Sequence, residues 1–65
     1  MRIDKTALFI AMANKRISQK ELAEVSGISS STISHGFSNT VLPTTIGKLA
    51  HALNVPVEQI ILKED

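Results

Sequence analysis

The chain contains no cysteine, tryptophan or tyrosine, and its two aromatic residues are phenylalanines. Without cysteine there are no disulfides or thiolate metal sites, so packed apolar side chains or a partner chain must hold the 65 residues together. Aliphatic residues, alanine and methionine therefore fill the core, and a hydrophobic fraction of 43% is typical of a folded domain. We expect residues 1–65 to form a single domain.

The sequence also lacks long apolar runs and recognisable catalytic motifs. Its longest apolar run, residues 7–13, is far shorter than the ~20 residues of a membrane-spanning helix and lacks the features of a signal peptide. There is no glycine-rich phosphate loop and no Gly-x-Ser-x-Gly motif, and neither His35 nor His51 has an acid at catalytic spacing. We expect a cytoplasmic protein that is not an enzyme and needs no metal or cofactor.

The net charge of +1 is small, but the charges are unevenly distributed. Residues 1–50 contain six basic and three acidic side chains, whereas residues 51–65 contain one basic and three acidic side chains. The first part suits a polyanion and the tail would repel one. A solvated surface with a chance asymmetry is the alternative, and charge alone favours it.

Residues 18–39 have the pattern of two short helices joined by a sharp turn. Ser18 and Glu21 have the spacing of a capping box, which begins a helix over about residues 19–26. Gly27 can take the left-handed conformation that ends this helix. The predicted core face of the helix contains Leu22, Ala23 and Val25.

The second helix of the pair covers about residues 30–37 and is capped by Ser29 or Ser30. Ile33 and Phe37 lie four residues apart on its core face, and the remaining faces are rich in hydroxyl groups. Hydroxyl side chains lower helix propensity, but they can bond to phosphates and to base edges. A short serine-rich helix without a ligand is, from the residues alone, an equally good interpretation. Two helices that meet at a glycine turn form the helix-turn-helix pattern.

Two longer helices are predicted on either side of this pair. Asp4 can cap a first helix that runs to about Asn14. Its core face contains Leu8, Phe9 and Met12. Pro43 suits the first turn of a fourth helix, whose apolar stripe contains Ile46, Leu49, Ala50 and Leu53. Gly47 costs this helix about 1 kcal/mol relative to alanine, so we expect it to allow close packing against a neighbour or DNA.

A fifth, short helix is predicted after Pro56, and it gives the chain a hydrophobic end. Its apolar residues, together with the one that follows, are Val57, Ile60, Ile61 and Leu62. Closure of the core is the favoured explanation of this face, and a dimer seam is the alternative. The charged finish, residues 63–65, fits either a natural terminus or a truncation.

Residues 19–23, 27–29 and 32–34 resemble the helix-turn-helix of the lambda-repressor/Cro-like (XRE-type) regulators. Residues 43–50, followed by 52–55, resemble the fourth helix of small regulators in bacteriophages and mobile elements. The matched segments cover most of the chain. The resemblance implies an all-α, compact five-helix DNA-binding domain with its helix-turn-helix at helices 2 and 3. It also implies a nucleoid-associated protein in a bacterial or phage-infected cell.

In this family the second helix of the pair enters the major groove and the first crosses the DNA backbone. Carried over to this sequence, Gln19 contacts phosphate and helps to hold the helix-three side chains. The residues that face bases or flanking phosphates are Ser29, Ser30, Ser31, Thr32, Ser34 and His35. The loop and helix-four residues that meet the opposite phosphate wall are Asn39, Thr44, Thr45 and Lys48. Further phosphate contacts are expected from the basic residues Lys15, Arg16 and Lys20.

The sequence departs from the family pattern in helix three. Gly36 stands where a large apolar residue is usual and is expected to fray or bend the helix end. Asn39 is expected to end the helix in the left-handed conformation, where the family more often has glycine. The recognition surface lacks the Arg, Gln or Asn side chains whose bidentate base contacts each contribute ~1–3 kcal/mol of discrimination. We therefore expect modest affinity per monomer.

These features favour a repressor that binds a palindromic operator as a homodimer, with half-sites about one helical turn apart. Readout of DNA shape would add specificity. The alternative is a protein-interaction module, such as an antitoxin or an anti-repressor target, that binds its partner through residues 57–62 and for which DNA binding is secondary. A third interpretation is a DNA-binding domain cut from a longer repressor.

Overall fold

The computed structural model of the protein describes residues 1–62. Its four α-helices, in chain order, are α1 (Lys5–Lys15), α2 (Gln19–Ser26), α3 (Ser30–His35) and α4 (Pro43–Leu53). A single 3-10 turn, Val57–Gln59, follows α4. Within residues 1–62, none of the helices combines the length and the apolar character that a membrane-spanning segment requires. The predicted charged finish, residues 63–65, lies outside the described residues.

The all-α class is confirmed, but the predicted count of five helices is not, because residues 1–62 contain four α-helices and a short 3-10 turn in place of the fifth. The segment after Pro56 makes only the 3-10 turn, which ends at Ile60 with a backbone φ of −118°. The chain leaves the helical conformation there because the next residue, Ile61, pairs with Ile3 in an antiparallel bridge. Pairing with residues 1–4, which we call the N-terminal segment, thus takes the place of the predicted fifth helix.

Local side-chain bonds explain where the first three helices begin. The Asp4 carboxylate accepts from the Ala7 N–H at 3.1 Å, as its predicted cap role requires. Ser18 and Glu21 form the complete capping box, because each side chain accepts from the other residue's N–H, at 3.1 and 3.0 Å. Of the two predicted caps for α3, the structure selects Ser29.

Helices α1, α2 and α4 end in the same way, because each is followed by a residue in the left-handed conformation. These residues are Arg16, Gly27 and Asn54, with φ of 59°, 75° and 56°. Helix α3 ends differently, because Gly36 follows it in the right-handed conformation with φ of −66°. The prediction that Asn39 adopts the left-handed conformation is therefore wrong.

The core is one cluster of buried side chains. The N-terminal segment, all four helices and Ile60 contribute to it. Its members are Ile3, Leu8, Ala11, Met12, Leu22, Ile33, Ile46, Leu49, Ala50, Leu53 and Ile60. Two residues predicted to be in the core are exposed instead. Phe9 is 41% exposed, because it lies on the flank of α1 with its ring edge-to-face against Phe37. Val25 is 65% exposed on the flank of α2.

The two ends of the described chain pair with each other. Ile3 and Ile61 form an isolated antiparallel bridge. The flanking bonds run from the Asp4 N–H to the Ile60 carbonyl (2.8 Å) and from the Leu62 N–H to the Arg2 carbonyl (2.9 Å). We call the pairing of the N-terminal segment with residues 60–62 the terminal pair.

The opposite edge of the N-terminal segment bonds to the loop between α3 and α4. The Ile3 N–H donates to the Gly36 carbonyl at 3.1 Å. The Val41 N–H donates to the Met1 carbonyl at 2.7 Å. The segment therefore lies between the end of the chain and the loop that leaves the helix-turn-helix.

Candidate nucleic-acid interface

Gln19 connects the two helices of the helix-turn-helix. Its side-chain Nε2 donates to the Ser34 hydroxyl oxygen at 3.1 Å and to the Ser30 carbonyl at 3.4 Å. The first residue of α2 thus contacts α3 at two residues, Ser30 and Ser34, which lie one helical turn apart. This contact with helix-three side chains was expected from the family resemblance, and the structure confirms it. The phosphate contact of Gln19 stays a prediction.

The predicted base-facing residues form one exposed surface on α3. All six are exposed: Ser29, Ser30, Ser31, Thr32, Ser34 and His35. At the start of the helix the Ser29 hydroxyl donates to the Thr32 hydroxyl oxygen at 2.8 Å and also accepts from the Thr32 N–H. The Ser31 hydroxyl lies 3.3 Å from the Ser29 oxygen. The hydroxyls of Ser29, Ser31 and Thr32 are therefore connected at the start of the helix, and these side chains restrict one another's rotamers.

Asn39 closes the other end of α3 without adopting the predicted backbone conformation. Its backbone N–H donates to the His35 carbonyl at 3.0 Å, and its side-chain Nδ2 donates to the same carbonyl at 3.3 Å. The same Nδ2 lies 3.5 Å from the His35 ring Nδ1. Asn39 thus satisfies a carbonyl at the helix end through its amide groups, and this orders the start of the loop.

The helix-four residues of the predicted site lie at the start of α4. Thr44 and Lys48 are exposed and Thr45 is half-buried. Thr44 and Lys48 line an open groove of about 370 Å³ between α4 and the end of α2. The other lining residues are Val25, Ser26, Gly47 and His51. The structure therefore brings Thr44 and Lys48 together with the end of α2.

Gly47 opens onto this groove. Apart from its two chain neighbours and its own helix backbone, no heavy atom of residues 1–62 lies within 4 Å of the position that a Cβ would take. The prediction that this glycine allows close packing against a neighbouring part of the chain is therefore wrong. Close approach of DNA, the other half of the prediction, stays a prediction.

The predicted phosphate-binding cations near the helix-turn-helix are exposed. Lys15 is the last residue of α1, Arg16 follows it in the left-handed conformation, and Lys20 lies in the first turn of α2. The short α1–α2 corner therefore places three cationic side chains on the surface, all within four residues of Gln19 in the sequence.

Two other basic residues, which the sequence analysis did not assign, contact the end of the helix-turn-helix. Arg2 donates from Nη2 to the Phe37 carbonyl at 3.4 Å. The Lys5 ammonium lies 5.8 Å from the Phe9 ring centroid and 5.6 Å from the Phe37 ring centroid. The spacing of Lys5 and Phe9 is a signal present in the sequence, but the approach of Phe37 is visible only in the fold.

The hydrophobic end of the chain is mostly part of the core. Ile60, predicted as a possible member of a dimer seam, is 0% exposed, so this residue is not available as a surface within the folded chain. Val57 and Ile61 are half-buried, and Leu62 is 37% exposed. The surface left for a partner is therefore smaller than the sequence pattern suggested.

A comparison with protein families gives one result. A family model described as helix-turn-helix matches residues 10–60, well over half of the chain. No curated protein and no solved structure gives a significant match. The matched region includes α2, the glycine turn, α3 and α4, and it excludes the N-terminal segment. The family consists of DNA-binding regulators rather than enzymes. The chain thus belongs to the lambda-repressor/Cro-like helix-turn-helix family of DNA-binding transcription regulators.

Proposed function

We propose that the protein is a sequence-specific repressor that places α3 in the major groove of its operator. The bond from Gln19 to Ser34 is the observation that carries this proposal, because it fixes the exposed face of α3 against the start of α2. A reading helix has to present its side chains in one orientation to distinguish base edges. The hydroxyl surface of α3 is held in this way before any DNA binds.

The contacts in this proposal divide into base readout and phosphate positioning. Ser30, Ser31 and Ser34 offer hydroxyls to base edges, and Thr32 offers a methyl group to thymine. The residues assigned to phosphates are Gln19, Ser29, His35, Asn39, Thr44, Thr45, Lys48, Lys15, Arg16 and Lys20. Cationic side chains on both sides of α3 would orient the helix in the groove.

We further propose that the protein binds a palindromic operator as a homodimer. Serine and threonine side chains are short and lack bidentate geometry, so a single domain would discriminate weakly among sequences. Two copies on one two-fold site combine their contacts. The exposed Leu62, with the half-buried Val57 and Ile61, is the part of the predicted seam that remains for the second copy. The proposed setting is the nucleoid of a bacterium that carries a phage or mobile element.

Selection of bound duplexes from a random DNA pool, at near-physiological salt, tests the function. We expect the wild-type protein to enrich a two-fold palindrome. Enrichment of a single half-site would contradict the dimer, and the absence of enriched sequences would contradict sequence-specific binding. A flat dependence of affinity on salt would contradict the phosphate contacts of the four lysine and arginine residues, since each such contact releases counterions.

A variant pair then assigns the binding to the helix-turn-helix. The double variant Gln19→Ala/Ser31→Ala should lose binding to the selected duplex, because it removes the support of α3 and one of its hydroxyls. Thr6→Ala, which changes an exposed threonine on α1, should bind like the wild type. If the double variant keeps its affinity, the reading surface lies elsewhere, and the protein-interaction alternative through residues 57–62 gains support.

A further inference from the structure

The N-terminal segment lies outside the region that the family model matches, yet it contacts the end of the recognition helix. Its residue Ile3 is fully buried, and its N–H donates to the carbonyl of Gly36, the residue directly after α3. None of the DNA contacts proposed above involves a residue of this segment.

Ile3 and Gly36 fit each other closely. A Cβ built on Gly36 would lie 2.6 Å from the Ile3 Cδ1, 3.2 Å from its Cγ1 and 3.2 Å from the Val41 Cγ1, so the Ile3 Cδ1 is its closest neighbour. Gly36 has an ordinary right-handed backbone, so its lack of a side chain is needed for space and not for conformation. The large apolar residue that is usual at this position is thus replaced by an isoleucine from the N-terminal segment. Gly36 therefore leaves the space that the Ile3 side chain occupies, and the helix end is packed and not frayed.

The segment also holds the far end of the loop that follows α3. This loop begins at Gly36, passes through Asn39, and returns to the segment at Val41, whose N–H donates to the Met1 carbonyl. The segment therefore bonds to the loop at both ends, while its other edge bonds to residues 60–62. A loop held at both ends samples fewer conformations than one held by its neighbouring helices alone.

We propose that Ile3 is a positioning residue for DNA binding, which sets the loop from Gly36 to Val41 relative to α3. This role rests on the proposed function, because the loop contains Asn39, a residue assigned to phosphate contact. Ile3 touches no DNA in this arrangement. It acts by keeping the loop in the position from which the phosphate wall can be reached, and a displaced loop loses that contact while the helices stay folded.

The test compares two variants that each remove a fully buried aliphatic side chain. Ile3→Ala changes the positioning residue, and Leu8→Ala changes α1, whose contacts with the loop are those of Lys5 and Phe9 with Phe37. Both should be less stable than the wild type, so affinities for the selected duplex are measured at a temperature where circular dichroism shows both to be folded. We expect Ile3→Ala to bind about tenfold more weakly, a difference of ~1.4 kcal/mol, and Leu8→Ala to bind within about twofold of the wild type.

A second pair of variants tests the contact between Ile3 and Gly36 and avoids the cavity that Ile3→Ala creates. Gly36→Ala introduces the methyl group that would meet the Ile3 Cδ1, so we expect weaker DNA binding and faster hydrogen exchange at the Val41 amide. Ile3→Val removes that Cδ1, so Gly36→Ala/Ile3→Val should recover much of the affinity and of the amide protection. Gly47→Ala, which adds a methyl group in open space, is the control and should not speed exchange at the Val41 amide.

The outcomes separate this role from the proposed function. If the wild type binds DNA and folded Ile3→Ala binds equally well, the positioning role is overturned and the function stands. Failure of Ile3→Val to rescue Gly36→Ala would likewise overturn the role. A wild type that binds no DNA would overturn the proposed function, and the positioning role with it.

Discussion

The helix-turn-helix and the terminal pair are ordered by bonds of very different range. In the first, Ser18 pairs with Glu21 and Ser29 with Thr32, each three residues away. In the second, the N-terminal segment bonds to residues near the other end of the chain. A local bond needs little ordering of the chain, whereas a distant contact first has to overcome the entropy of closing a long loop. The helix-turn-helix is therefore specified by its own residues, and the terminal pair by the whole fold.

Ile60→Ala should have the largest effect, although the residue lies near the end of the described chain. Its side chain is fully buried in the core, so its truncation should lower the free energy of unfolding by about 2–5 kcal/mol. Thermal or urea unfolding measures the loss. If it is this large, the terminal pair is as integral to the fold as the helices are.

The matched control is Ile10→Ala, which truncates an isoleucine that is 58% exposed on α1 and should change stability by less than ~0.5 kcal/mol.

The stability of Ile60→Ala also tests whether Ile60 belongs to a dimer seam. If Ile60 acted mainly between two copies, its truncation would matter less as the protein is diluted, and a loss independent of concentration assigns it to the core of one chain.

Gly27→Ala tests the turn of the helix-turn-helix, where the backbone φ of 75° disfavours any residue with a Cβ. We expect the free energy of unfolding to fall by about 1–2 kcal/mol. Its control is again Gly47→Ala, which changes a glycine inside a helix with open space beside it and should stabilise the protein by about 0.5–1 kcal/mol. Opposite signs at the two glycines would show that conformation, not space, determines the requirement at the turn.

Among Ile60→Ala, Gly27→Ala and Ser18→Ala, the last should lower the free energy of unfolding least, because it removes a bond between near neighbours in the sequence. It removes the acceptor for the Glu21 N–H at the start of α2 and should cost about 1 kcal/mol. Glu21→Gln keeps an acceptor for the Ser18 N–H, so it should cost clearly less. A loss several times larger for Ser18→Ala would mean that this cap, despite its short range, supports distant parts of the fold.

The elements that the sequence predicted well are those encoded by neighbouring residues. The capping box, the glycine turn and the bounds of α2 all follow from residues within a few positions of one another. The core stripe of α4 was equally visible, because its apolar residues repeat at helical spacing. Of the candidate site, the support of α3 by Gln19 could be predicted because the family resemblance covers both residues.

The wrong predictions concern residues whose environment comes from elsewhere in the fold. Val25 has apolar chemistry and a plausible helical position, but it lies beside a groove that α4 leaves open. The 3-10 turn replaced a helix because Ile61 pairs with Ile3 across almost the whole chain. Gly36 was interpreted as a weak point, since nothing in its neighbours reveals that Ile3 occupies the space.

The bond between Gln19 and Ser34 also limits the hydrogen bonds that Ser34 can make to DNA. The Ser34 oxygen accepts a hydrogen from the Gln19 amide, which occupies one of its two lone pairs. In the proposed orientation the hydroxyl's own hydrogen is free for an acceptor of the major groove, such as guanine O6 or N7 or thymine O4, and one lone pair is left for an amino group. One glutamine outside the reading helix thereby removes half of the acceptor capacity of Ser34 and leaves its donor capacity intact.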